Sequence, residues 1–152
     1  MTRPAPRTPE QRKQDTLDRL EHDVDAWVAT ADESGVPYLV PLSFLWDGAT
    51  LLVATASASP TARNLLATGR VRLGVGLVRD VVLVEGTAEA TPAAEIPAEI
   101  GDAFATKAGF DPREETGPYH YFRITPVRLQ AWREANELKG RDLIRDRKWI
   151  FS

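Results

Sequence analysis

Consecutive apolar segments of this chain are joined by links too short to hold a crossover helix, and this feature most limits the possible folds. Asp32–Gly35 is a turn signal between the first two segments, and Asp47-Gly48 is a strong hairpin signal between the next two. Arg79-Asp80 forms a third short link. Such links place neighbouring strands antiparallel, because parallel strands need long crossover connections. The pattern therefore predicts an antiparallel sheet and argues against repeated βαβ units.

The order of apolar and turn segments predicts a mainly β chain with three helices. Strands are predicted at residues 26–31, 37–46, 50–56, 70–77, 81–90, 118–124 and 127–134, with a short one near 148–151. Helices are predicted after a capping box at Thr8–Gln11, at 59–68 and at 93–107. Early prolines predict that residues 1–8 form a flexible leader. Residues 9–152 would then form one domain, a closed or split antiparallel β-barrel.

The composition is that of one globular domain, with 152 residues, 43% of them hydrophobic and 27% charged. A net charge of −3 gives no general attraction to nucleic acid or to anionic membranes. The absence of cysteine excludes disulfides, thiolate metal sites and cysteine nucleophiles. No apolar run approaches the ~18 residues of a membrane span, and the N-terminus has no apolar signal region. We therefore expect a cytoplasmic protein with no nucleic-acid partner and no membrane partner.

The second predicted strand is apolar on both of its faces. One face carries Val40, Leu42, Phe44 and Trp46, and the other carries Leu39, Pro41, Ser43 and Leu45. A single small barrel has only one interior, so a helix or a second subunit must cover the outer face. Pro41 cannot donate a hydrogen bond within a sheet, and it marks an edge, a bulge or an interruption that leaves backbone groups free for a ligand. We expect a C2 homodimer.

The stretch from Leu51 to Leu65 predicts a strand that runs through a cluster of hydroxyls into a helix. Ser59 followed by Pro60 is typical of a helix N-cap and first helical residue. The helix start would offer free amides and the positive end of the helix dipole to an anion. The hydroxyls there belong to Thr55, Ser57, Ser59 and Thr61, and Arg63 adds a permanent cation. These residues form either a phosphate-binding corner or a plain helix cap beside a solvated arginine.

Two glycines interrupt the strand predicted at 70–77. Gly74 and Gly76 share one face, opposite Val71, Leu73, Val75 and Leu77. Glycines at such positions allow either a bend of the barrel or the close approach of a flat ligand or another backbone. The apolar set fills the barrel more plausibly, so we expect the glycines on the outward, subunit-facing side.

No familiar catalytic set is present, and the catalytic residues remain unassigned. His22 and His120 lack the spacing of metal ligands, and no metal site is expected. His120 lies between two tyrosines in a predicted strand, which favours a core or interface role over catalysis. A phosphate corner and glycine-bearing strands without a catalytic set suit a protein whose cofactor performs the reaction.

The segment 137–148 is strongly charged and follows Trp132-Arg133. It is either a solvated connection between barrel strands or, with Arg133, an arm that reaches across a dimer interface to the partner's cofactor or substrate. Tryptophan and arginine are the residue types enriched at interface hot spots.

The order of these pieces resembles the pyridoxamine 5′-phosphate oxidase-like family of split β-barrel flavin and deazaflavin (F420) proteins. The resembling pieces cover about the first half of the domain. They are Ala26–Ala31, Gly35–Pro37, Val40–Leu42, Leu45–Gly48, Leu52–Thr55, Ser59–Leu65 and Arg70-Val71. The resemblance implies the FMN-binding split-barrel fold and a homodimer with two cofactor sites between its subunits.

The resemblance also assigns cofactor-binding residues. Val40, Pro41 and Leu42 would lie against the ring system, and the segment from Thr55 to Asn64 would hold the phosphate. Thr55, Ser59, Arg63 and Asn64 match the family pattern, whereas Thr61 stands where the family has a phosphate-binding lysine. A hydroxyl can still donate one hydrogen bond, but the loss of a cation should weaken phosphate binding.

The resulting hypothesis is an oxidoreductase that binds FMN, or alternatively F420, and transfers hydride to or from a small organic substrate. Its alternative is a non-catalytic dimer of the same fold that binds or stores a flavin-like or tetrapyrrole ligand. A third possibility is a barrel with an empty site that acts only as a dimeric interaction module.

Overall fold

The computed structural model describes residues 3–151. Residues 1 and 2 of the expected leader and the last residue of the expected domain lie outside this range. The α-helices of the described chain are α1 (Pro9–His22), α2 (Pro60–Thr68) and α3 (Ala98–Ala108). The strands are β1 (Asp25–Ala31), β2 (Pro37–Trp46), β3 (Leu51–Ala56), β4 (Arg70–Val75), β5 (Val81–Pro92), β6 (Tyr119–Trp132), β7 (Asp142–Arg145) and β8 (Lys148–Trp149).

The strands form an antiparallel sheet in the order β3-β2-β1-β4-β5-β6-β7-β8, and β3 also pairs with β6. That pairing closes β1 to β6 into a six-stranded barrel, with β7 and β8 added outside β6. It runs from Leu51 opposite Ile124 to Ala56 opposite Tyr119. The mainly β, split-barrel fold predicted from the sequence is therefore confirmed.

The barrel interior is built from the inward face of each strand. Val28, Phe44, Val53 and Phe122 are fully buried there, so the inward face of β2 is the one that carries Phe44 and Trp46. A smaller cluster lies between the outside of β3 and β6 and helix α3, where Phe104 meets Tyr121 edge to face at 5.5 Å. α3 thus covers one part of the outer sheet surface and leaves the rest of that surface to solvent.

Helix α1 starts with the predicted capping box. Thr8 accepts a hydrogen bond from the Gln11 amide, and the Gln11 side chain accepts one from the Thr8 amide. Arg7 lies within the segment expected to be a loose leader, yet its side chain is only 10% exposed and pairs with buried Glu137 at 2.9 Å. Because of these hydrogen bonds from Arg7, the pKa of Glu137 falls to about 2, against the opposing effect of burial.

Proline effects account for two corrections to the predicted elements. The strands expected on either side of Pro126 are one strand, β6, because Pro126 pairs with Gly86 at a bulge where no ladder donor is required. The helix expected at 93–107 is instead a 3₁₀ turn at Ala93–Glu95 followed by α3. Pro97 separates them, since the residue before a proline is driven out of the helical region, and Ile96 is extended.

The expectation that the charged segment 137–148 is a solvated connection was wrong. It contains β7, which pairs with β6 and buries Leu143 and Ile144. Because charged residues lie on both sides of this short apolar pair, the sequence did not indicate a strand here. Arg133 does not extend away from its own chain, because it forms ion pairs with Asp15 at 3.4 Å and Asp80 at 3.2 Å.

The strand expected at 70–77 ends at Val75, so the two glycines occupy different environments. Gly74 faces outward in β4, opposite Trp27 and Leu83. Gly76 lies in the following turn at φ +84°, where a Cβ would overlap the guanidinium of Arg19. Arg19 in turn binds Asp80 at 2.7 Å. Only Gly74 therefore has the outward position that we expected for both.

Candidate functional site

The hydroxyls of the expected phosphate corner do converge where β3 leads into α2. Thr55 Oγ1 lies 3.1 Å from Ser59 Oγ, and Ser59 Oγ also accepts a hydrogen bond from the Ala62 amide. Ser59 is therefore the N-cap of α2, and Pro60 is its first residue, as predicted. Thr55, Ser57 and Ser59 are all half-buried. The corner lies at the end of the barrel that α2 covers.

The start of α2 offers fewer free amides than a plain helix start. Pro60 has no N–H, Ala62 donates to the Ser59 hydroxyl, and Arg63 donates to the Ser59 carbonyl. Within the described residues, this leaves the Thr61 amide as the unsatisfied backbone donor at the first turn. An anion at this position would therefore depend on side-chain donors more than on the helix itself.

Thr61 and Asn64 are buried residues, 2% and 8% exposed. Asn64 Nδ2 donates to Thr30 Oγ1 at 3.1 Å, which fastens α2 to β1. Asn64 thus has a structural partner in the barrel wall. The buried position of Thr61 shows that a long cationic side chain would not fit there without displacing its neighbours.

The Arg63 side chain is not hydrogen-bonded to any of the corner hydroxyls in the part of the chain that the structure describes. It lines an open cavity of about 500 Å³ between α2 and the β1–β2 hairpin, which also contains Asp32, Glu33 and Tyr38. Its side chain makes no ion pair or hydrogen bond with any residue in the range 3–151. Thr55, Ser57 and Ser59 do not line this cavity, although the sequence predicted that Arg63 would lie beside them.

His120 is the residue that the structure adds to the corner. Its Nδ1 lies 2.6 Å from Ser57 Oγ, and its backbone is paired with Thr55 of β3 on one side and Pro92 of β5 on the other. Its ring stacks on Phe122 with centroids 5.9 Å apart and planes 26° apart. The alternation of His120 with Phe122 and Ile124 indicated that they share one face of a strand, but not that His120 lies beside Ser57.

The segment Val40–Leu42 divides between the two sides of the barrel wall. Val40 and Leu42 are half-buried and Leu42 packs against the interior, whereas Pro41 is exposed on the outer face. Pro41 stands opposite Trp27, which is 54% exposed. Pro41 therefore belongs to an outer surface rather than to the interior.

That outer surface is an apolar row across neighbouring strands. Pro41, Trp27, Gly74 and Leu83 stand opposite one another on β2, β1, β4 and β5. Leu39 adjoins the row and is 59% exposed. A cavity of about 240 Å³ lies over Gly74, and the charged side chains of Arg72, Glu85 and Arg128 border it. We call the row of Pro41, Trp27, Gly74 and Leu83, together with Leu39, the outer sheet face. Trp27 was not identified as a member of this surface from the sequence.

No group of three or more histidine, aspartate or glutamate side chains is arranged to hold a metal ion within residues 3–151. None of the helices in that range is long and apolar enough to cross a membrane.

The fold is shared with proteins of known structure. The chain aligns with an F420 reductase at 19% identity and TM-score 0.60, over 74% of this chain and 93% of that one. It aligns with an FAD-binding protein from Mesorhizobium loti at 22% identity and TM-score 0.61, over 77% and 89%. It also aligns with HutZ, a heme storage protein from Vibrio cholerae, at 15% identity and TM-score 0.59, over 76% and 89%. Similarity at this level of identity establishes the fold.

The sequence itself establishes the family. Among curated proteins, none matches the chain significantly. The family described as pyridoxamine 5′-phosphate oxidase matches residues 14–133, which span most of α1 and the whole closed barrel from β1 to β6. This protein belongs to the pyridoxamine 5′-phosphate oxidase family.

Proposed function

We propose that this protein is a cytoplasmic oxidoreductase that binds FMN, or alternatively F420, and transfers hydride to or from a small organic substrate. The observation that carries the proposal is the cluster of hydroxyls at the start of α2, joined by the imidazole of His120. Binding of a cofactor phosphate would account for this group of polar side chains at the end of an otherwise apolar barrel. The family membership and the F420 reductase and FAD-binding neighbours support a flavin-type ligand.

The residues present fit a phosphate group. Ser57, the Thr55–Ser59 pair and the Thr61 amide can each donate a hydrogen bond, and His120 adds a titratable donor. The lysine of the family pattern is missing, so we expect weaker phosphate affinity than a lysine-bearing corner would give. Arg63 and Asn64 line the cavity beside the β1–β2 hairpin, and we propose that they contact the cofactor only from that cavity.

When bound, a flavin or deazaflavin ring supplies the hydride-transfer chemistry. The role of this chain is to hold that ring, orient it and exclude water. Val40 and Leu42 would contact the ring with their side chains, Pro41 would contact it only through its backbone because its ring faces the outer surface, and Thr55, Ser57 and Ser59 would anchor the phosphate end. No side chain of the site is assigned a proton-transfer role.

We further propose that two copies pack through the outer sheet face to form a homodimer. Trp27, Leu39 and Leu83 are 54%, 59% and 37% exposed, and exposed large apolar groups in one patch indicate an interface. Arg72 pairs with Glu85 at 3.5 Å at the edge of the patch, so both signs of charge are available to a second copy. A twofold axis through the outer sheet face would pack this face of one copy against the same face of the other copy.

A tetrapyrrole-binding dimer is the second candidate. The observation that favours it is the half-buried imidazole of His120, because imidazole is a common axial ligand of heme iron. The fold of the heme storage protein HutZ is compatible with this alternative.

The deciding experiment is a titration of the purified protein with FMN, F420 and hemin, followed by absorbance and fluorescence. Saturable binding of FMN or F420 in the micromolar range or tighter, with no Soret shift on hemin addition, supports the oxidoreductase. A saturable Soret shift without flavin binding supports the tetrapyrrole alternative. Failure to bind any of the three contradicts both proposals. Ser57→Ala should weaken FMN binding, and Ser43→Ala, which removes a hydroxyl bonded to Asp25 rather than to a corner residue, is the matched control.

A further inference from the structure

We propose that His120, rather than Arg63, is the basic residue that faces the cofactor phosphate. The inference rests on the proposed function and assigns a specific binding role within it. It is carried by the contact between His120 Nδ1 and Ser57 Oγ at 2.6 Å, which joins the start of β6 to the exit of β3. No sequence pattern brings these two residues together.

The imidazole of His120 is held in a defined orientation. The ring stacks on Phe122, which is fully buried, and its backbone lies between Thr55 and Pro92 of the two neighbouring strands. Nδ1 is engaged by Ser57, while Nε2 has no hydrogen-bond partner in the part of the chain that the structure describes. One ring nitrogen is thus fixed by the protein and the other is available to a ligand.

The Ser57–His120 pair can donate to an anion in either protonation state. In the neutral ring with the proton on Nε2, the Ser57 hydroxyl donates to Nδ1 and Nε2–H is free to donate outward. In the charged ring, Nδ1–H donates to Ser57 Oγ, so the Ser57 hydroxyl proton is released to donate to the anion together with Nε2–H. Only the charged form also offers a positive charge, and hydrogen bonds of that kind to phosphate are the stronger ones.

The alternative cation is less suited to a phosphate. Arg63 shares its cavity with the carboxylates of Asp32 and Glu33, which would repel a phosphate dianion. The position of the family lysine is also closed, because Thr61 is 2% exposed. Of the two basic residues Arg63 and His120, His120 is the one that is hydrogen-bonded to a corner hydroxyl.

The first test uses inorganic phosphate as the probe and nuclear magnetic resonance of the imidazole nitrogens. The chain has two histidines, so the resonances of His120 are assigned by comparison with His120→Gln. We expect phosphate to shift the nitrogen resonances of His120 saturably and to leave those of His22, which is exposed at the end of α1, unchanged. Absence of any shift at His120, or equal unsaturable shifts at both histidines, would overturn the proposal.

The second test measures the FMN affinity of two substitutions at His120, each of which keeps a polar atom near only one of the two ring nitrogens. The amide of His120→Asn approximates Nδ1 and can keep the contact with Ser57, whereas that of His120→Gln approximates Nε2 and can keep the contact with the ligand. We expect His120→Ala and His120→Asn to lose roughly tenfold or more in FMN affinity, the loss expected when a hydrogen bond to a charged group is removed. His120→Gln should lose less, and the control His22→Gln should bind FMN as the parent does.

The outcomes separate this inference from the proposed function. If the parent protein binds neither FMN nor F420, the proposed function fails, and the phosphate titration still decides the role of His120. If the parent binds FMN and the folded His120→Ala and His120→Phe variants bind it equally well, the role of His120 is refuted while the proposed function stands. His120→Phe guards against misfolding, because a phenyl ring preserves the stack on Phe122.

Discussion

Ser57 Oγ and His120 Nδ1 are 2.6 Å apart although the residues are separated by 63 positions in the chain. The contact exists because β3 and β6 pair antiparallel and close the barrel, with Thr55 directly opposite His120. It turns a helix-capping segment into a polar corner that contains an imidazole. We propose that the cofactor phosphate binds at this corner.

Loss of the Ser57 hydroxyl should destabilise the fold slightly as well as weaken ligand binding. Ser57→Ala leaves the half-buried His120 Nδ1 without its partner, and we expect the free energy of unfolding to fall by about 1 kcal/mol. Urea denaturation of the ligand-free protein measures this directly. Ser43→Ala, which removes an exposed hydrogen bond, should change it by less than about 0.5 kcal/mol. Equal stability of parent and Ser57→Ala would show that the contact contributes nothing to folding.

The two glycines near the end of β4 should respond differently to alanine. Gly76→Ala places a side chain at φ +84° and against Arg19, so we expect a loss of at least about 1 kcal/mol in the free energy of unfolding. A Cβ at Gly74 would lie 3.7 Å from Leu83 Cδ2, an ordinary contact, so Gly74→Ala should leave unfolding within about 0.5 kcal/mol of the parent. Thermal and urea unfolding of both variants provide the comparison. Equal losses would contradict the separation of their roles.

Charge placed on the outer sheet face should prevent dimer formation. Trp27→Lys and Leu39→Lys each put an ammonium group into the apolar patch, where burial against a second copy would be costly. We expect the parent to sediment as a dimer at micromolar concentration and both variants as monomers. Leu66→Lys is the control, because Leu66 is 52% exposed on α2, outside the patch, and its replacement should leave the dimer intact. A monomeric parent would refute the proposed assembly.

The free energy of unfolding should fall at acid pH because Glu137 becomes protonated there. Its folded-state pKa of about 2 lies below the ordinary value of 4.5, so its stabilising effect is complete above about pH 4.5. The effect is lost progressively as the pH falls toward 2, and it corresponds to about 3 kcal/mol. Unfolding free energies measured between pH 2 and 7 should show this slope in the parent and a reduced slope in Glu137→Gln.

Glu134→Gln provides the control for that series. Glu134 precedes the same turn but forms no ion pair with the residues of the described range, so its replacement should leave the acid slope unchanged. Parallel curves for the parent and Glu137→Gln would contradict the role given to the Arg7–Glu137 pair.

The sequence by itself determined the features that depend on near neighbours in the chain. The Thr8–Gln11 capping box, the Ser59 N-cap and the turn at Asp47 all form from hydrogen bonds within a few residues. Alternation in β2 likewise separated its side chains into two sets, although the tertiary structure decided that the set with Phe44 and Trp46 enters the barrel. Short links then implied antiparallel pairing, and this was sufficient for the fold class.

Tertiary structure decided everything that depends on register between distant strands. Closure through β3 and β6 brought His120 to Ser57, and pairing with β6 made a strand of the charged segment around Leu143 and Ile144. The direction of Arg63 was also undetermined, because a helix fixes its spacing from Ser59 but not what lies opposite each helix face. These contacts arise from the packing of segments far apart in sequence, whose relative positions no local preference specifies.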